Sequence, residues 1–292
     1  MTAPAPRRLL QPGPADPVRI ESLEGRTRPF ELSLAPGLNL IEAIAQPLLA
    51  AGFEGAAVRL EGGSLAPFTY VIPALSGDAR YAAYYSEPFS PTGKTRLEVA
   101  NVMVGRRDSE PFLHCHGLWV EADGRRRGGH PIPDQTFIAT APAAQAWGFT
   151  GVGLRSDFDP ETNFTLFHPV PAACPATHGG LRTVVARIRP NEDVSESVEA
   201  ICRTHGFAAA VVRGSIGSVI DPVFENGERV ESDSTELLVL DGAVWSDESG
   251  RPHSRLDVAL VDTEGRVHEG RLARGRNPVC ITFELVIEER LS

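Results

Sequence analysis

Three of the eight histidines of this chain lie close together in the sequence, at His114, His116 and His130. Side chains alternate between the two faces of a β-strand, so His114 and His116 share one face while Cys115 points to the other. Neutral imidazole is the commonest metal ligand in proteins, and three histidines that leave one position open are typical of a catalytic or substrate-binding zinc site. The spacing therefore favours a site for a divalent metal, with zinc as the expected ion and Cys115 as a small buried residue.

The turn before His130 decides whether this residue joins the other two. A two-residue turn at 123–124 would place His130 opposite Gly117 and direct its ring to the wrong face. A three-residue loop at 122–124, ending in a glycine that can adopt the left-handed conformation, pairs His116 with His130 instead. We predict the second register, in which the three rings converge. A half-buried polar stripe without a metal is the alternative interpretation.

Residues on both sides of the histidines match the pattern of a known family. The pattern includes Glu110-Pro111-Phe112-Leu113-His114, the Asp-Gly turn and Gly128-Gly129-His130. Upstream it includes Phe30-Glu31-Leu32-Ser33-Leu34, Pro36-Gly37, an amphipathic helix, and Gly52-Phe53 leading into a strand. Residues 25–147 thus resemble the plants and prokaryotes conserved (PPC) domain.

The resemblance implies a compact α/β fold that tends to form trimers, with the histidine cluster near a subunit boundary. It therefore suggests self-association as a homotrimer. In plants the domain follows AT-hook motifs in nuclear proteins, whereas in bacteria it stands alone. The resemblance implies no known reaction.

The second half of the chain repeats the pattern of the first. At an offset of 154 positions, Pro36 matches Pro190, Glu42 matches Glu196 and Gly52-Phe53 matches Gly206-Phe207. Further along the offset is 141, where Pro111 matches Pro252, Gly124-Arg125 matches Gly265-Arg266 and Gly129 matches Gly270. The difference means that the second copy lacks 13 residues. The missing stretch corresponds to the region of 68–72 and 81–85, which we expect to be a loop insertion.

The second copy does not retain the three histidines. The offset of 141 places Arg255, Asp257 and Arg271 at the corresponding positions. The same hairpin register would put Asp257 opposite Arg271, with Arg255 beside it. Such a cluster can satisfy itself through charge-assisted hydrogen bonds, so it is either structural or a cationic pocket for an anion.

These patterns predict an α+β fold of two similar domains, each a mostly antiparallel sheet with one main helix. Residues 1–18 contain five prolines and are predicted to form a disordered arm. The first PPC-like domain, with the histidine cluster, covers 19–149, and a second, degenerate one covers 181–292. Residues 150–180 form a linker whose phenylalanines are expected to pack across a domain surface.

Composition limits the partners that the chain is expected to have. The formal net charge of −10 opposes nucleic-acid binding through the chain's own basic residues. The segment Arg274-Gly275-Arg276-Asn277-Pro278 resembles an AT-hook core, but Asn277 interrupts it and a strand-like run follows. We find no apolar stretch long enough for a membrane span or signal peptide, and four scattered cysteines, so we expect a cytoplasmic protein with free thiols and no membrane partner.

Three functions are compatible with these features. The first is an uncharacterised binding module that holds a divalent metal or a small ligand through His114, His116 and His130. The second is a metal-dependent, hydrolase-like enzyme that uses a zinc-bound water, with Asp134 near enough to act as an outer partner of the metal ligands. The third is a DNA-associated regulator, which rests on analogy with AT-hook relatives. Whether the chain is an enzyme is left open.

Overall fold

A computed structural model describes residues 6–172 and 179–290 of the chain, so Cys174 and His178 lie outside the described residues. The first half contains one helix and a series of strands, followed by a hairpin that leads into the second half. In chain order these elements are β1 (Ile20–Glu31), α1 (Leu40–Ala50), β2 (Ala56–Glu61), β3 (Ser64–Leu65), β4 (Tyr70–Val71), β5 (Pro73–Ala74), β6 (Tyr84–Tyr85), β7 (Thr95–Arg107), β8 (Glu110–Val120), β9 (Arg126–Pro131), β10 (Ile138–Thr140), β11 (Ala143–Thr150), β12 (Val152–Phe158) and β13 (Thr165–Pro171).

The second half repeats this order with fewer strands. Its elements are β14 (Leu181–Ile188), α2 (Val194–His205), β15 (Ala209–Val219), β16 (Glu236–Ser246), β17 (Pro252–Val261), β18 (Val267–Arg271) and β19 (Val279–Glu289). The two helices begin 154 residues apart, and β7 and β16 begin 141 residues apart. The structure thus places matching elements at the offsets read from the sequence. β5 and β6, a small separate hairpin, lie in the region that the second half lacks.

Side-chain caps explain where the two helices begin. The Asn39 side chain accepts the backbone N–H of Glu42 at 2.9 Å before α1, and Asp193 does the same for Glu196 before α2. Gly206, with φ of 70°, ends α2 in the left-handed conformation that glycine adopts without strain. Apolar residues at helical spacing then bury one face of each helix against its sheet.

The three largest hydrophobic cores among the described residues separate layers of secondary structure. One core lies between α1 and the first-half strands, and includes Leu40, Ile44 and Trp119. A second lies between α2 and the second-half strands. The third contains residues of both halves, among them Met103 and Ile216, so the faces of the two sheets that point away from the helices pack against each other. The order of layers is therefore helix, sheet, sheet, helix.

The two sheets are also joined edge to edge. β1 pairs with β11 of its own half and, through Ile20 to Thr27, with β14 of the second half. Among the described residues, the strands pair antiparallel except for one parallel contact between β12 and β7. The mostly antiparallel sheets with one helix each match the predicted α+β class, but the two halves share a core and a strand ladder.

Residues 6–18 and the predicted linker are more ordered than their composition predicts. Residues 6–18, expected to be disordered, lie against the second half, where Leu9 N–H donates to Asn191 at 2.9 Å and Gln11 donates to the Cys280 carbonyl at 2.8 Å. The predicted linker contains the β12–β13 hairpin. Its Phe167 is buried in the shared core as expected, whereas Phe158 is 64% exposed. Prolines hold such segments extended, so they can lie along a neighbouring surface at little entropic cost.

In the part of the chain that the structure describes, no helix is both long enough and apolar enough to cross a membrane.

Candidate metal centre

The β8–β9 hairpin adopts the register that brings the histidines together. Glu121 N–H donates to the Arg125 carbonyl at 2.9 Å, which closes a three-residue loop. Gly124, at its end, has φ of 86°. The ladder pairs Gly117 with Gly129, and the next pair in this register is His116 with His130. The predicted loop length and register are confirmed.

The three imidazole rings converge on one point. The ring centroids of His114 and His116 are 4.8 Å apart, and those of His114 and His130 are 5.0 Å apart. The Nε2 atoms of His114 and His116 are separated by 3.1 Å. Cys115 points to the opposite face, into the core beneath α1, where burial raises the pKa of its thiol to about 12. Cys115 is therefore a packing residue.

A carboxylate from the second half completes the cluster. Glu236, the first residue of β16, forms an ion pair with His116 Nε2. One nitrogen or oxygen from each of His114, His116, His130 and Glu236 lies within 4.8 Å of the other three. Sequence reasoning missed Glu236, which is 106 residues from His130, its nearest histidine partner in the chain. The available signal was a carboxylate at the start of the apolar run Leu237-Leu238-Val239-Leu240.

Outer hydrogen bonds orient two of the rings. His116 Nδ1–H donates to the Leu237 carbonyl at 2.8 Å, and His114 Nδ1–H donates to Glu284 at 2.9 Å. Both imidazoles then present Nε2 to the centre of the cluster. Metal-binding histidines usually donate their second N–H to a carbonyl or carboxylate in this way. Glu284, in the middle of β19, was also missed by sequence reasoning.

One buried polar atom in the cluster, Nδ1 of His130, has no hydrogen-bond partner among the described residues. A buried polar atom without a partner is costly, so each such atom requires an explanation. The two nitrogens at 3.1 Å also have nearly the separation of two ligands around a zinc ion with Zn–N bonds of about 2.0 Å. The donor set therefore fits a divalent metal.

Burial and mutual repulsion keep two of the imidazoles neutral. Burial, with the charge of His116 adding to it, lowers the pKa of His114 to about 3. Burial also lowers the pKa of His130 well below its usual value. For His116, burial lowers the pKa, but the neighbouring Glu236 outweighs it and the pKa is raised. A metal ion would replace the proton that His116 and Glu236 otherwise share.

Glu284 differs from Glu236 in its protonation. Burial raises the pKa of the Glu284 carboxyl to about 8, although the charges of His116 and Arg187 lower it. For Glu236, burial raises the pKa, but His116 outweighs this and lowers it. Two buried carboxyl groups of different acidity thus lie on either side of the histidines.

Two cavities adjoin the cluster. The larger, of 280 Å³, is lined by His114, His130 and Glu284 on the cluster side. The smaller, of 40 Å³, is lined by His116 and Glu236. Tyr84, Tyr85, His114, Phe164 and Leu166 line both cavities. A small molecule therefore has space next to the cluster on two sides.

The β5–β6 hairpin covers the cluster. The Tyr85 ring lies 5.2 Å from that of His130, and the Tyr81 ring lies 4.8 Å from that of Phe164, in the β12–β13 turn. Asn163 of the same turn donates to the Arg80 carbonyl at 3.0 Å. The segment that the second half lacks is thus the wall of the site.

Asp134 does not take the role predicted for it. It lies in a short 3-10 turn, Pro133–Gln135, and is exposed. It is not part of the cluster, because the chain turns to the surface after β9. The carboxylate that contacts a histidine of the cluster from outside it is Glu284, which comes from the other half of the chain.

The corresponding site in the second half is an ionic cluster. Asp257 pairs with Arg271 in the predicted register, and its carboxylate accepts from Arg271 Nε at 2.9 Å. Arg255 donates to Asp257 and Asp241. Both arginines are therefore occupied by carboxylates, which supports the structural interpretation and leaves no cationic pocket for an anion.

The segment that resembles an AT-hook is part of the folded surface. Arg274 Nε donates to Glu199 at 2.9 Å and its Nη1 donates to Glu196 at 2.9 Å. Asn277 is buried and donates to the Ala273 carbonyl at 2.6 Å. The segment is therefore tied to α2 and is not a free basic arm.

Solved structures and one curated sequence are similar to this chain. A metal-containing protein from Archaeoglobus fulgidus is 22% identical with a TM-score of 0.40, over 49% of this chain and 94% of that protein. A plant- and prokaryote-conserved protein from Pyrococcus horikoshii is 18% identical with a TM-score of 0.40, over 52% of this chain and 96% of that protein. The bifunctional protein GlmU of Synechococcus sp. (strain JA-3-3Ab) is 27% identical over 124 residues, which are 40% of this chain and only 18% of that relative.

A family model also matches the chain. The Plants and Prokaryotes Conserved (PCC) domain matches residues 176–290. The resemblance was predicted from residues 25–147, so the match lies on the half that carries no histidine cluster. The family recognised from the sequence is confirmed for this part of the chain: residues 176–290 match the model of the Plants and Prokaryotes Conserved (PCC) domain.

Proposed function

We propose that this chain binds one divalent metal ion, zinc, through His114, His116, His130 and Glu236. The observation that supports this most directly is the convergence of four side chains, each with a possible ligand atom within 4.8 Å of those of the others. The buried Nδ1 of His130 in this cluster has no hydrogen-bond partner among the described residues. Three imidazoles and a carboxylate are a normal donor set for zinc. Glu284 and the Leu237 carbonyl would orient the rings.

The adjoining cavities support a ligand-binding function for this metal. The 280 Å³ cleft begins at His114 and His130, so a ligand in it would contact the cluster. Four protein ligands already fill a tetrahedral zinc site, so a ligand in the cleft would bind as a fifth ligand or displace Glu236. We therefore infer a metal-dependent binding module whose ligand is a small molecule.

A metal-dependent, hydrolase-like enzyme is the second candidate, favoured by the 40 Å³ cavity beside His116 and Glu236. A bound zinc ion would act as a Lewis acid and activate water there. Hydrolysis of a simple ester that is lost on metal removal would support this candidate.

The DNA-associated alternative gains no support from the AT-hook-like segment, whose Arg274 is paired with Glu196 and Glu199. Homotrimer formation, implied by the family resemblance, stays a prediction that sedimentation would test.

Metal analysis of the purified protein tests the proposed function. We expect about one zinc ion per chain, and a loss of at least about tenfold in the His130→Ala variant, because one ligand is removed. His253→Ala is the matched control, since His253 pairs with Asp247 on the surface at 2.9 Å. Circular dichroism would establish that both variants fold. Equal metal in the wild type and His130→Ala, or none in either, would contradict the proposal.

A further inference from the structure

The cleft of 280 Å³ has two chemically different ends. One end contains His114, His130 and Glu284, and the other contains Arg107. Between them the lining is mainly aromatic and apolar, with Tyr84, Tyr85, Phe112, Phe164, Leu166 and Phe167. We call this space the Arg107 cleft. Its lining would suit a ligand with an apolar body and a polar group at each end.

Arg107 is held in place without a carboxylate. Its Nε and Nη2 both donate to Ser156 Oγ at 3.1 Å, and its guanidinium lies 3.6 Å from the centroid of the Phe112 ring. Among the described residues, no carboxylate oxygen lies within 4.0 Å of it, and its Nη1 has no hydrogen-bond partner. Burial lowers the pKa of Arg107, although Asp108 raises it. The cleft thus contains a positioned, partly desolvated cation.

The neighbouring Arg106, unlike Arg107, is paired with a carboxylate. It donates to Glu54 at 3.0 Å and to the Ser109 carbonyl at 2.7 Å, and it does not line the Arg107 cleft. Desolvating a cation without an anionic partner costs free energy. A positioned cation that lacks a carboxylate at the wall of a cavity therefore indicates an anionic ligand. The planar guanidinium suits a carboxylate, which it can hold through paired hydrogen bonds.

The strand geometry sets the length of the ligand. The Arg107 guanidinium lies over the ring of Phe112. Phe112 and His114 are two residues apart on β8, so they share a face of the strand. Two residues of a strand span about 7 Å. A ligand that reaches from the guanidinium to the cluster therefore needs roughly the length of a substituted benzene ring.

We propose that the Arg107 cleft binds a small organic carboxylate, with its carboxylate held by Arg107 and a neutral oxygen at its other end directed to the metal cluster. The tyrosine and phenylalanine side chains would contact its apolar body. This inference rests on the proposed metal function and adds the chemical class of the ligand. It also assigns Arg107 as the residue that selects for negative charge.

Calorimetric titration of the zinc-loaded protein with matched probes tests the inference. The probes are 4-hydroxyphenylacetate, its neutral amide 4-hydroxyphenylacetamide, and phenylacetate, which lacks the second oxygen. We expect the wild type to bind the hydroxylated carboxylate about 10-fold to 100-fold more tightly than the amide, because a charge-assisted hydrogen bond is lost. Arg107→Gln should remove this preference and leave binding of the amide unchanged, whereas Arg106→Gln should change neither.

Metal content measured on the same samples separates the two proposals. Zinc retained by Arg107→Gln together with loss of the carboxylate preference supports the inference. Zinc retained with no preference in the wild type, or with an unchanged preference in Arg107→Gln, overturns it while the metal proposal stands. Failure of all three probes to bind below about 10 mM to the zinc-loaded protein also overturns it. Absence of zinc from the wild type overturns both.

Discussion

At the scale of single residues, the histidines could be identified from the sequence and their carboxylate partners could not. Alternation on a strand and the length of one turn suffice to bring His114, His116 and His130 together. Glu236 and Glu284 approach them from strands more than 100 residues away, and the separation of Glu284 from His114 is 170 residues. A local pattern carries no information on which distant strand will face it.

Glu284 gives a prediction at this scale. The variant Glu284→Gln keeps the volume of the side chain but weakens the hydrogen bond that fixes His114. We expect zinc affinity to fall about 10-fold to 100-fold, the usual effect of removing an outer partner of a metal-binding histidine. Competition with a chromophoric chelator would measure the change.

Glu199→Gln is the matched control, because Glu199 is buried to a similar degree and accepts from Arg274 at the other side of the second half. We expect its zinc affinity to equal that of the wild type. An unchanged affinity in Glu284→Gln would show that the carboxylate does not orient His114.

At the scale of secondary structure, the elements that the sequence predicted best are those defined by local rules. The caps of α1 and α2 and the three-residue loop before β9 follow from neighbouring residues. The disordered arm and the linker were predicted less well, because residues 6–18 and 150–172 are ordered by contacts with distant elements. Composition alone does not reveal such contacts.

Asp159, in the turn between β12 and β13, fixes this hairpin to β14. It lies 2.6 Å from both Arg187 and Arg189, and all three side chains are buried. Burial raises the pKa of Asp159, but the two arginines and the Thr162 backbone N–H outweigh it and lower the pKa to about 2. Because the folded-state pKa is below the usual 3.8, the ion pairs add stability above about pH 4. This stability is lost as the pH falls toward 2.

The variant Asp159→Asn tests this role. The shift from 3.8 to about 2 corresponds to about 2 kcal/mol of unfolding free energy. We therefore expect the wild type to lose about 2 kcal/mol more than the variant between pH 6 and pH 2. Urea unfolding at several pH values would measure the difference. Parallel pH profiles for the two proteins would contradict this role.

At the scale of the whole molecule, the contact between the two halves is built around irregular backbone. Asn101, fully buried on β7, donates to the Ser215 carbonyl at 3.2 Å and to the Val239 carbonyl at 2.8 Å. Both carbonyls lie where the β15 and β16 ladders shift register. Asn101 of the first half thus supplies hydrogen bonds that the ladders of the second half lack.

The variant Asn101→Ala should therefore weaken the association of the halves. We expect the unfolding free energy to fall by about 1–3 kcal/mol, because two buried carbonyls lose a donor. Urea unfolding would measure the loss. The exposed Asn226 provides a control, and its replacement by alanine should cost less than about 0.5 kcal/mol. A similar small cost for Asn101→Ala would show that water or other groups satisfy these carbonyls.

The repeat could be read from the sequence, but the way in which its copies pack could not. The offsets of 154 and 141 predict matching elements, and the two helices and the strands β7 and β16 begin at these separations. The shared core forms because the sheet faces that point away from the helices are also apolar. The β1–β14 pairing joins residues 154 to 168 positions apart in the chain. The local sequence does not specify these contacts, since an apolar strand face can pack on a helix or on another sheet.

The difference between the two halves sets the number of metal ions that we expect each chain to bind. One half provides the imidazoles and the other provides Glu236 and Glu284, so among the described residues the two similar halves together form one candidate metal cluster. Each half lacks side chains of the cluster that the other half supplies, so two copies of the same half would not form it. Titration with zinc should accordingly saturate at one equivalent per chain rather than two. A substitution of a cluster residue in either half should abolish zinc binding.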